Sequence, residues 1–480
     1  MKTIALPLFP VTALVAVLSG CVQVLPPAFP TKAWIAPEDA LQPNRVWEAV
    51  RAETPADLSK PLTLSDLADL ALRNNAVTSK AWYEARAAAE QVSFSQGYFM
   101  PSVTAGAVAI RTSIDNSLES ADQDHLIYGP ALQLSYLVFN FGGGRRAAVE
   151  QALQTVYASN FAFNKAIQDT LLEAELAYYN VISAQAGVDA TATNVLDSKA
   201  ILEAATERRN ARVGVDLDVL QAKTLYDQAL YALANAQGQL KISWGLLAQS
   251  IGLPADTPLQ IAAPTAPLPE TLSELDMQRF TDIALARRPD IAALRASLAS
   301  REAAIQVAKA SRWPSLYLNG SVAHNESEIY GVSSDASPSD EWVYIGGVSL
   351  KWNLFDGFQT LSTKRTAEAQ AEAARAQLKQ AELGASAEIW VRFQNYATSL
   401  PLYDFSLSAL QSATASWQMA MDSYLAGVKN ILDVLNAETQ LAQARNQQIV
   451  SRQNIFTAWA RLAHATGVIE KGGSLQEQTP

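Results

Sequence analysis

Two stretches of the chain place charged and hydrogen-bonding side chains beside a glycine turn. The residues concerned are Tyr424, Gly427, Lys429, Asp433 and Asn436 in one stretch, and Gly214 and Asp218 in the other. A phenol, an ammonium group and carboxylates are suited to hydrogen bonds and ion pairs between helix ends. Each turn lies between long helical segments, and we interpret the stretch around Gly427 as the closable inner mouth of a tube.

A structural role explains part of the same pattern. Asn430 can cap the last helix, with Asp433 in its first turn, where the helix dipole favours a carboxylate. Gly214 and Gly427 can serve the backbone conformation of the turns alone. Capping and a role at the mouth are compatible, so both interpretations stay open at this point.

The residue types give little support for metal binding, catalysis or nucleic-acid binding. The histidines His125, His324 and His464 are far apart in the sequence, so a histidine cluster is not expected. Without a glycine-rich phosphate loop or a metal-ligand spacing, we expect no enzymatic activity, no metal site and no cofactor other than covalent lipid. The formal net charge of -11 and the pI near 5.0 argue against a nucleic-acid partner, which requires a basic surface.

The N-terminus predicts export and lipid attachment. Lys2 precedes an apolar run from Ile4 to Leu18 that is too short to span a bilayer but is typical of a signal peptide. The segment ending at Cys21 resembles the lipobox of bacterial lipoproteins, in which the cysteine is lipidated and becomes the mature N-terminus. Because Val22 rather than an aspartate follows this cysteine, the resemblance implies sorting to the outer membrane.

The sequence repeats itself about half a chain later. Gly427 corresponds to Gly214 with an offset of 427 - 214 = 213, whereas Gly467 and Gly252 differ by 467 - 252 = 215. Only small insertions therefore separate the two copies. Such duplication makes chain length a poor guide to the number of domains.

Each copy predicts one very long helix followed by a shorter return helix. From Arg145 to about Arg212 there is no proline and helix formers dominate, which predicts a rod of about 100 Å at 1.5 Å per residue. Pro401 lies midway along the second rod, and we expect a break or kink there. With the offset of 213, the first copy has Gly187 near the matching position, so both rods are expected to carry an interruption that could hold a small belt.

Two strands per copy precede the long helices, at about 102–110, 127–140, 315–324 and 342–355. In the last of them Trp342, Tyr344, Val348 and Leu350 alternate with polar residues, which is the pattern of a membrane barrel strand. Polar loops separate the strands of each pair. Four strands cannot close a membrane barrel, so partner chains are required.

The ordered set of strands, rods, glycine turns and return helices behind a lipobox resembles the TolC-type outer-membrane efflux proteins, in particular their lipoprotein branch. The resemblance covers the chain from Leu62 to Val468. It implies a mainly α fold with a small β part: long α-helical hairpins form a periplasmic α-barrel, and four strands per chain complete a 12-stranded trimeric outer-membrane β-barrel. A homotrimer, a periplasmic adaptor protein and an inner-membrane efflux pump are the implied partners.

The same resemblance implies roles for the residues at the two turns. Tyr424 and Lys429 would form a latch with Asp218 as acceptor, and Asp433 would form an acidic ring at the periplasmic gate. Asn436 replaces the family's second acidic residue, and Lys429 replaces the commoner arginine, which puts a bidentate latch in doubt. The implied adaptor contacts are the tip residues Val213, Gly214, Val215, Gly427 and Val428.

Six segments follow from these patterns. They are a signal peptide (1–20), a lipidated extended segment (21–61), a first repeat (62–253), a Pro-rich linker (254–270), a second repeat (271–468) and a flexible tail (469–480). The expected function is a passive exit duct of a tripartite efflux system for small molecules. The alternatives are the outer-membrane duct of an ABC-type protein secretion system and a non-channel lipoprotein that scaffolds the envelope.

Overall fold

The computed structural model describes residues 60–114, 123–262, 274–330 and 339–467. The predicted signal peptide, Cys21 and the predicted C-terminal tail lie outside these residues, as do residues 263–270 of the linker. Among the described residues, no helix is both long and apolar enough to cross a membrane.

The described chain contains eight helices and four strands in two matching halves. In chain order they are α1 (Leu64–Asn74), α2 (Ala76–Gly97), β1 (Ser102–Ile114), β2 (Gln123–Asn140), α3 (Gly144–Asn210), α4 (Asp216–Ser250), α5 (Glu274–Arg287), α6 (Pro289–Ala310), β3 (Ser315–Tyr330), β4 (Ser339–Lys351), α7 (Gln359–Leu425) and α8 (Ile431–Ala465). The expected architecture of long helical hairpins with a small β part and an internal duplication is confirmed.

The first helical segment is two helices rather than one. Thr63 caps α1 in a capping box with Asp66. The helix then stops at Asn75, whose extended backbone ends α1 and whose side chain accepts a hydrogen bond from the Val77 N–H to start α2. The Asn75 side chain is buried and donates to the Ser250 carbonyl, so the break is tied to the end of α4.

The four strands form one antiparallel sheet in the order β1-β2-β3-β4. Because β2 pairs with β3, the two repeats share a single sheet, and β1 and β4 are its open edges. The strands extend further into the predicted polar loops than expected: β1 continues to Ile114 and β3 to Tyr330. In contrast, β4 ends at Lys351, so the expected continuation to Phe355 is wrong.

Register gives the sheet one apolar and one polar face. Leu318 pairs with Tyr136 on one side and with Val348 on the other, and Tyr344 pairs with Val322 on the same face. On the opposite face, Asn319 donates a hydrogen bond to the Ser349 hydroxyl. The alternation predicted for β4 therefore extends across strands, because paired residues point to the same side.

The offset between the copies changes along the chain. Helices α2 and α6 begin 289 - 76 = 213 residues apart, whereas α3 and α7 begin 359 - 144 = 215 residues apart and have 67 residues each. The return helices α4 and α8 keep the offset of 215, with 35 residues each. The expected match of Gly214 with Gly427 is therefore wrong by two residues, and the residue that corresponds to Gly427 is Arg212.

Both long helices run without the expected interruption. Pro401 lies inside α7, and α3 continues through Gly187. A break is not needed because one proline removes a single backbone donor from a helix that packs against neighbours along its length. Instead of an interruption, the short helices α1 and α5 form a layer that packs on the rods.

These short helices bury equivalent parts of the two rods. In the first copy, Leu67 of α1 packs in one core with Tyr178 and Leu247. In the second, Phe280 of α5 packs against Phe393 and Leu462. Tyr178 and Phe393 are equivalent, since 393 - 178 = 215, so the same layer is built twice.

Candidate functional site

The first tip is the turn between α3 and α4. Arg212 occupies the left-handed region with φ of 60°, and the Val213 N–H bonds to the Arg208 carbonyl, which ends α3. Gly214 is not left-handed. A glycine fits here because an added Cβ would lie only 3.0 Å from the Arg209 backbone nitrogen. The absence of a side chain therefore lets the turn approach the end of α3 closely.

The second tip, between α7 and α8, has the same hydrogen bonds with a glycine in the left-handed position. Gly427 has φ of 76°, and the Val428 N–H bonds to the Ser423 carbonyl at 2.9 Å. Asn430 caps α8, since its side chain accepts from the Asp433 N–H at 3.1 Å. The capping role predicted for Asn430 is confirmed.

Arg208 joins the two tips. Its Nη1 donates to the Tyr424 carbonyl at 2.6 Å, and its guanidinium lies 4.7 Å from the centre of the Tyr424 ring. The acceptor belongs to the last turn of α7, where the negative end of the helix dipole favours a cation. One arginine of the first hairpin thus caps the end of the long helix of the second and covers its terminal tyrosine.

Tyr424 is buried, with 1% of its surface exposed, and its hydroxyl has no hydrogen-bond partner among the described residues. Burial raises the pKa of Tyr424, the charge of nearby Asp218 raises it further, and Arg208 lowers it. The structure therefore brings Tyr424 and Asp218 near each other but does not form the hydrogen bond expected of a latch.

The remaining gate candidates line the outer part of the tips. Asp433 is half-buried in the first turn of α8, whereas Lys429 and Asn436 are exposed. Within the described part of the chain, the Lys429 side chain has no ion-pair partner, so the single chain does not close a latch through this residue.

The predicted adaptor-contacting residues form an exposed apolar rim. Val213, Val215 and Val428 expose 66%, 58% and 79% of their surfaces, respectively. Beneath the rim is a compact core in which Ile201 of α3, Ala222 of α4 and Val434 of α8 are fully buried. The apolar side chains at the turns therefore do not belong to this core and are available to a partner.

A second connection between the hairpins lies further along the helices. Arg445 of α8 donates to Asp197 at 2.7 Å and to the Asn194 side chain at 2.6 Å, both on α3, and the ion pair is largely buried. Close by, Glu438 of α8 is 2% exposed, and neither of its carboxylate oxygens has a hydrogen-bond partner.

Sequence reasoning missed Arg208 and Glu438. Arg208 corresponds to Ser423 in the second copy (423 - 208 = 215), so it does not belong to the repeated residues. Glu438 is one of 47 acidic residues, and its residue type alone does not distinguish it from the others. Heptad spacing was the available signal: Ile431, Val434, Glu438, Leu441 and Arg445 follow each other in steps of three and four, which places an acid where a packed helix face requires apolar residues.

Comparisons with known proteins agree with this geometry. The family model described as "Outer membrane efflux protein" matches residues 67–253 and 281–468. The protein CyaE of Bordetella pertussis is 28% identical over 418 residues, covering 86% of this chain and 85% of CyaE. The pyoverdine export outer membrane protein OpmQ of Pseudomonas putida is 24% identical over 465 residues, with coverage of 94% and 95%.

Two further comparisons bear on function and fold. The alkaline protease secretion protein AprF of Pseudomonas aeruginosa is 25% identical over 369 residues, with 73% of this chain and 72% of AprF covered. The solved structure of the outer-membrane channel OprN superposes with a TM-score of 0.72 at 22% identity and covers 87% of this chain and 94% of OprN. With the family model matching both repeats, the chain belongs to the outer membrane efflux protein family.

Proposed function

We propose that this outer membrane efflux protein is the exit duct of a tripartite efflux system and that its helix tips form a gated periplasmic mouth. It passes small molecules passively, while a periplasmic adaptor protein and an inner-membrane pump select the cargo and supply the energy. Arg208, Tyr424 and Asp218 form the inner contact of the gate, and Lys429, Asp433 and Asn436 lie toward the pore. The family is one of channel proteins rather than of enzymes.

The observation that carries the proposal is the contact of Arg208 with the end of α7. Each chain contributes two hairpins, and at their tips, beside the core that both hairpins share, the Arg208 guanidinium meets the Tyr424 carbonyl and ring. A contact that joins two long hairpins near their free ends is well placed to hold a mouth narrow. Its loss lets the tips separate without unfolding the rods.

The four-stranded sheet supports a homotrimer. Each of its edge strands, β1 and β4, has one side unpaired among the described residues, and its apolar face exposes large side chains such as Tyr344 at 71% and Val348 at 67%. Unpaired edges require partners, and a sheet with one apolar face is suited to lipid on that side. Three copies supply 12 strands, enough for a closed barrel.

Two measurements on the detergent-extracted protein test the duct. Mass determination of the intact assembly is expected to give a trimer, and planar-bilayer recording is expected to give a channel of low resting conductance. A monomer, or a trimer that never conducts, would instead support the scaffolding lipoprotein.

Replacing Lys429 and Asp433 together by alanine is expected to raise the resting conductance several-fold. Around a threefold axis one Asp433 per chain becomes a ring of three carboxylates that narrows the proposed mouth, and Lys429 is an exposed cation of the same tip, so loss of both side chains should loosen the closed state. Single-channel recording checks this. The matched control is Lys223→Ala with Asp227→Ala, an exposed ion pair on α4 that lies at 3.0 Å and should leave the conductance unchanged. Unchanged conductance in the Lys429 and Asp433 variant would remove both residues from the gate.

Lipid on Cys21 is part of the same proposal. We expect the mature N-terminal peptide to carry diacylglycerol and an amide-linked fatty acid, seen as a mass increase in mass spectrometry. Cys21→Ser is expected to lose this mass and to leave an uncleaved signal peptide. A mature wild-type N-terminus with an unmodified thiol contradicts the lipoprotein assignment.

The five tip residues Val213, Gly214, Val215, Gly427 and Val428 are proposed to contact the adaptor. Their support is the exposed apolar rim, which the chain does not cover itself. Val428→Asp tests it, because a charge on the rim should abolish cellular efflux and adaptor cross-linking while the conductance of the isolated channel is retained.

A second candidate function is favoured by the similarity to AprF, whose name describes protease secretion. A duct for an ABC-type secretion system would use the same tube. Deleting the gene separates the two: loss of resistance to toxic small molecules supports efflux, whereas loss of a secreted protein from the medium supports secretion.

A further inference from the structure

Buried polar atoms without partners are concentrated in the tip core. Among the described residues, six buried side-chain nitrogen or oxygen atoms have no hydrogen-bond partner, and one of them belongs to Asn74. The other five are Arg208 Nε, Trp417 Nε1, Tyr424 Oη and both carboxylate oxygens of Glu438. Buried polar groups are rarely unpaired in stable cores, so this packing is less favourable than that of the rods.

Glu438 is the most unusual member of this set. It is 2% exposed on the face of α8 that packs against α3, between Val434 and Leu441, which are fully buried. Arg445, two turns further along the same face, is already bonded to Asp197 and Asn194. The equivalent residue of the first copy is Lys223 (438 - 215 = 223), which is exposed, so the repeat does not require an ionisable group inside this seam.

The surroundings of Glu438 favour its neutral form. Burial, as the main cause, and the negative charge of Asp197 together raise the pKa of the carboxyl to about 8, although the charge of Arg445 opposes them. Asp197 comes from α3 and Arg445 from α8 itself, whereas α7 and α4 contribute Trp417 and Ala222 to the adjoining core. An ionised carboxylate in this position has no donor to stabilise it, which strongly disfavours the packed arrangement.

We propose that Glu438 is a proton-controlled switch of the periplasmic mouth. The protonated side chain lets α8 pack against α3 near the tips, and loss of the proton drives this part of α8 outward and opens the mouth. The inference rests on the proposed gate, and it adds the condition under which the gate opens without a partner.

The sign of the pH dependence follows from the two environments. In an opened mouth the carboxyl is hydrated and titrates near its ordinary pKa of 4.5, whereas in the packed mouth it holds its proton up to about 8. The packed state therefore binds more protons, and its preference over the opened state falls about tenfold for each pH unit between these values. Alkaline conditions open the mouth and acidic conditions close it.

Planar-bilayer recording across pH 5.5 to 9 (roughly the range between the two pKa values and just above) tests the switch. The wild-type trimer is expected to conduct more as pH rises, whereas Glu438→Gln, which mimics the neutral side chain, should stay at low conductance throughout. Glu207→Gln is the matched control, because it removes an exposed carboxylate near the first tip and should follow the wild type. Glu438→Leu is a second neutral variant in case the glutamine variant does not assemble.

The outcomes separate this inference from the proposed function. If both neutral Glu438 variants form trimers with the wild-type pH profile, another group titrates and the switch is wrong while the gate stands. If the wild type shows no rise with pH, the switch is likewise wrong. If Arg208→Ala and the Lys429 and Asp433 variant also fail to conduct at any pH, the gate itself is wrong.

Discussion

Arg208→Ala is expected to raise the resting conductance of the reconstituted trimer by about tenfold or more. The change removes a charge-assisted hydrogen bond to the Tyr424 carbonyl and a cation held over the Tyr424 ring. Such a hydrogen bond contributes about 1.5–3 kcal/mol and such a ring contact about 0.5–2 kcal/mol, and about 1.4 kcal/mol already changes an equilibrium tenfold. Three chains lose this contact at once, so the effect on the mouth is large.

Arg209→Ala is the matched control for this experiment. Arg209 is the next residue, but its Nε bonds to Asp216 within its own hairpin, and both side chains are largely exposed. An exposed ion pair contributes little, so the conductance should stay near that of the wild type. Equal effects of the two substitutions would show that charge at the tip matters and that the contact with Tyr424 does not.

Arg288→Ala is expected to lower the free energy of unfolding by about 2–3 kcal/mol, because two half-buried carboxylates lose their partner. Arg288 bonds to Asp290 at 2.8 Å, to Glu388 of α7 at 2.8 Å and to the Ala465 carbonyl of α8 at 3.2 Å. It is only 11% exposed and connects the start of α6 to both helices of the second hairpin.

Denaturant unfolding followed by far-UV circular dichroism measures this effect, at one protomer concentration because the assembly contributes to stability. Arg295→Ala is the control, since Arg295 pairs with Glu382 on the same two helices but both side chains are more than a third exposed. The control should lose less than about 1 kcal/mol. A loss for Arg288→Ala no larger than that of the control contradicts the assignment.

The loss in free energy of unfolding caused by Arg288→Ala is expected to be smaller at acidic pH. Burial alone would raise the pKa of Asp290 and of Glu388, but the hydrogen bonds and charge of Arg288 outweigh burial and lower both. Carboxyls with a lowered pKa stabilise the folded state above their unfolded pKa, near 4, and lose this contribution as pH falls through the folded pKa. Repeating the unfolding at decreasing pH should therefore bring wild type and variant together.

Much of the fold could be predicted because the alternation of apolar residues and the positions of proline are properties of the local sequence. The absence of proline between Arg145 and Arg212 predicted α3 to within two residues at either end, and the alternation in β4 predicted its apolar face. Pro401 misled the prediction of a break, because its penalty was judged without the neighbouring helices against which α7 packs. The break at Asn75 was missed because its cause, the hydrogen bond to Ser250, comes from 175 residues away.

The candidate site could be predicted only in part, from the residues that repeat and from those that resemble the family's gate, such as Tyr424. Asp218 and Asp433 were found through their shared Asp-Val-Leu context, and the true offset of 215 confirms that they are equivalent. Arg208 was missed because it joins two hairpins that are far apart in the sequence. Its hydrogen-bond acceptor is a backbone carbonyl, which no side-chain motif indicates. Glu438 differs from the other acids by burial alone, which is a property of packing rather than of spacing.

The equal lengths of the two rods restrict how this protein can change in evolution. Helices α3 and α7 have 67 residues each, and their ends are tied together where Arg208 meets Tyr424. Each residue inserted into one rod alone shifts its tip by about 1.5 Å and rotates it by about 100°, which breaks this contact. Insertions and deletions are therefore tolerated only as matched pairs, so the reach of the duct can vary only when both gene halves change together.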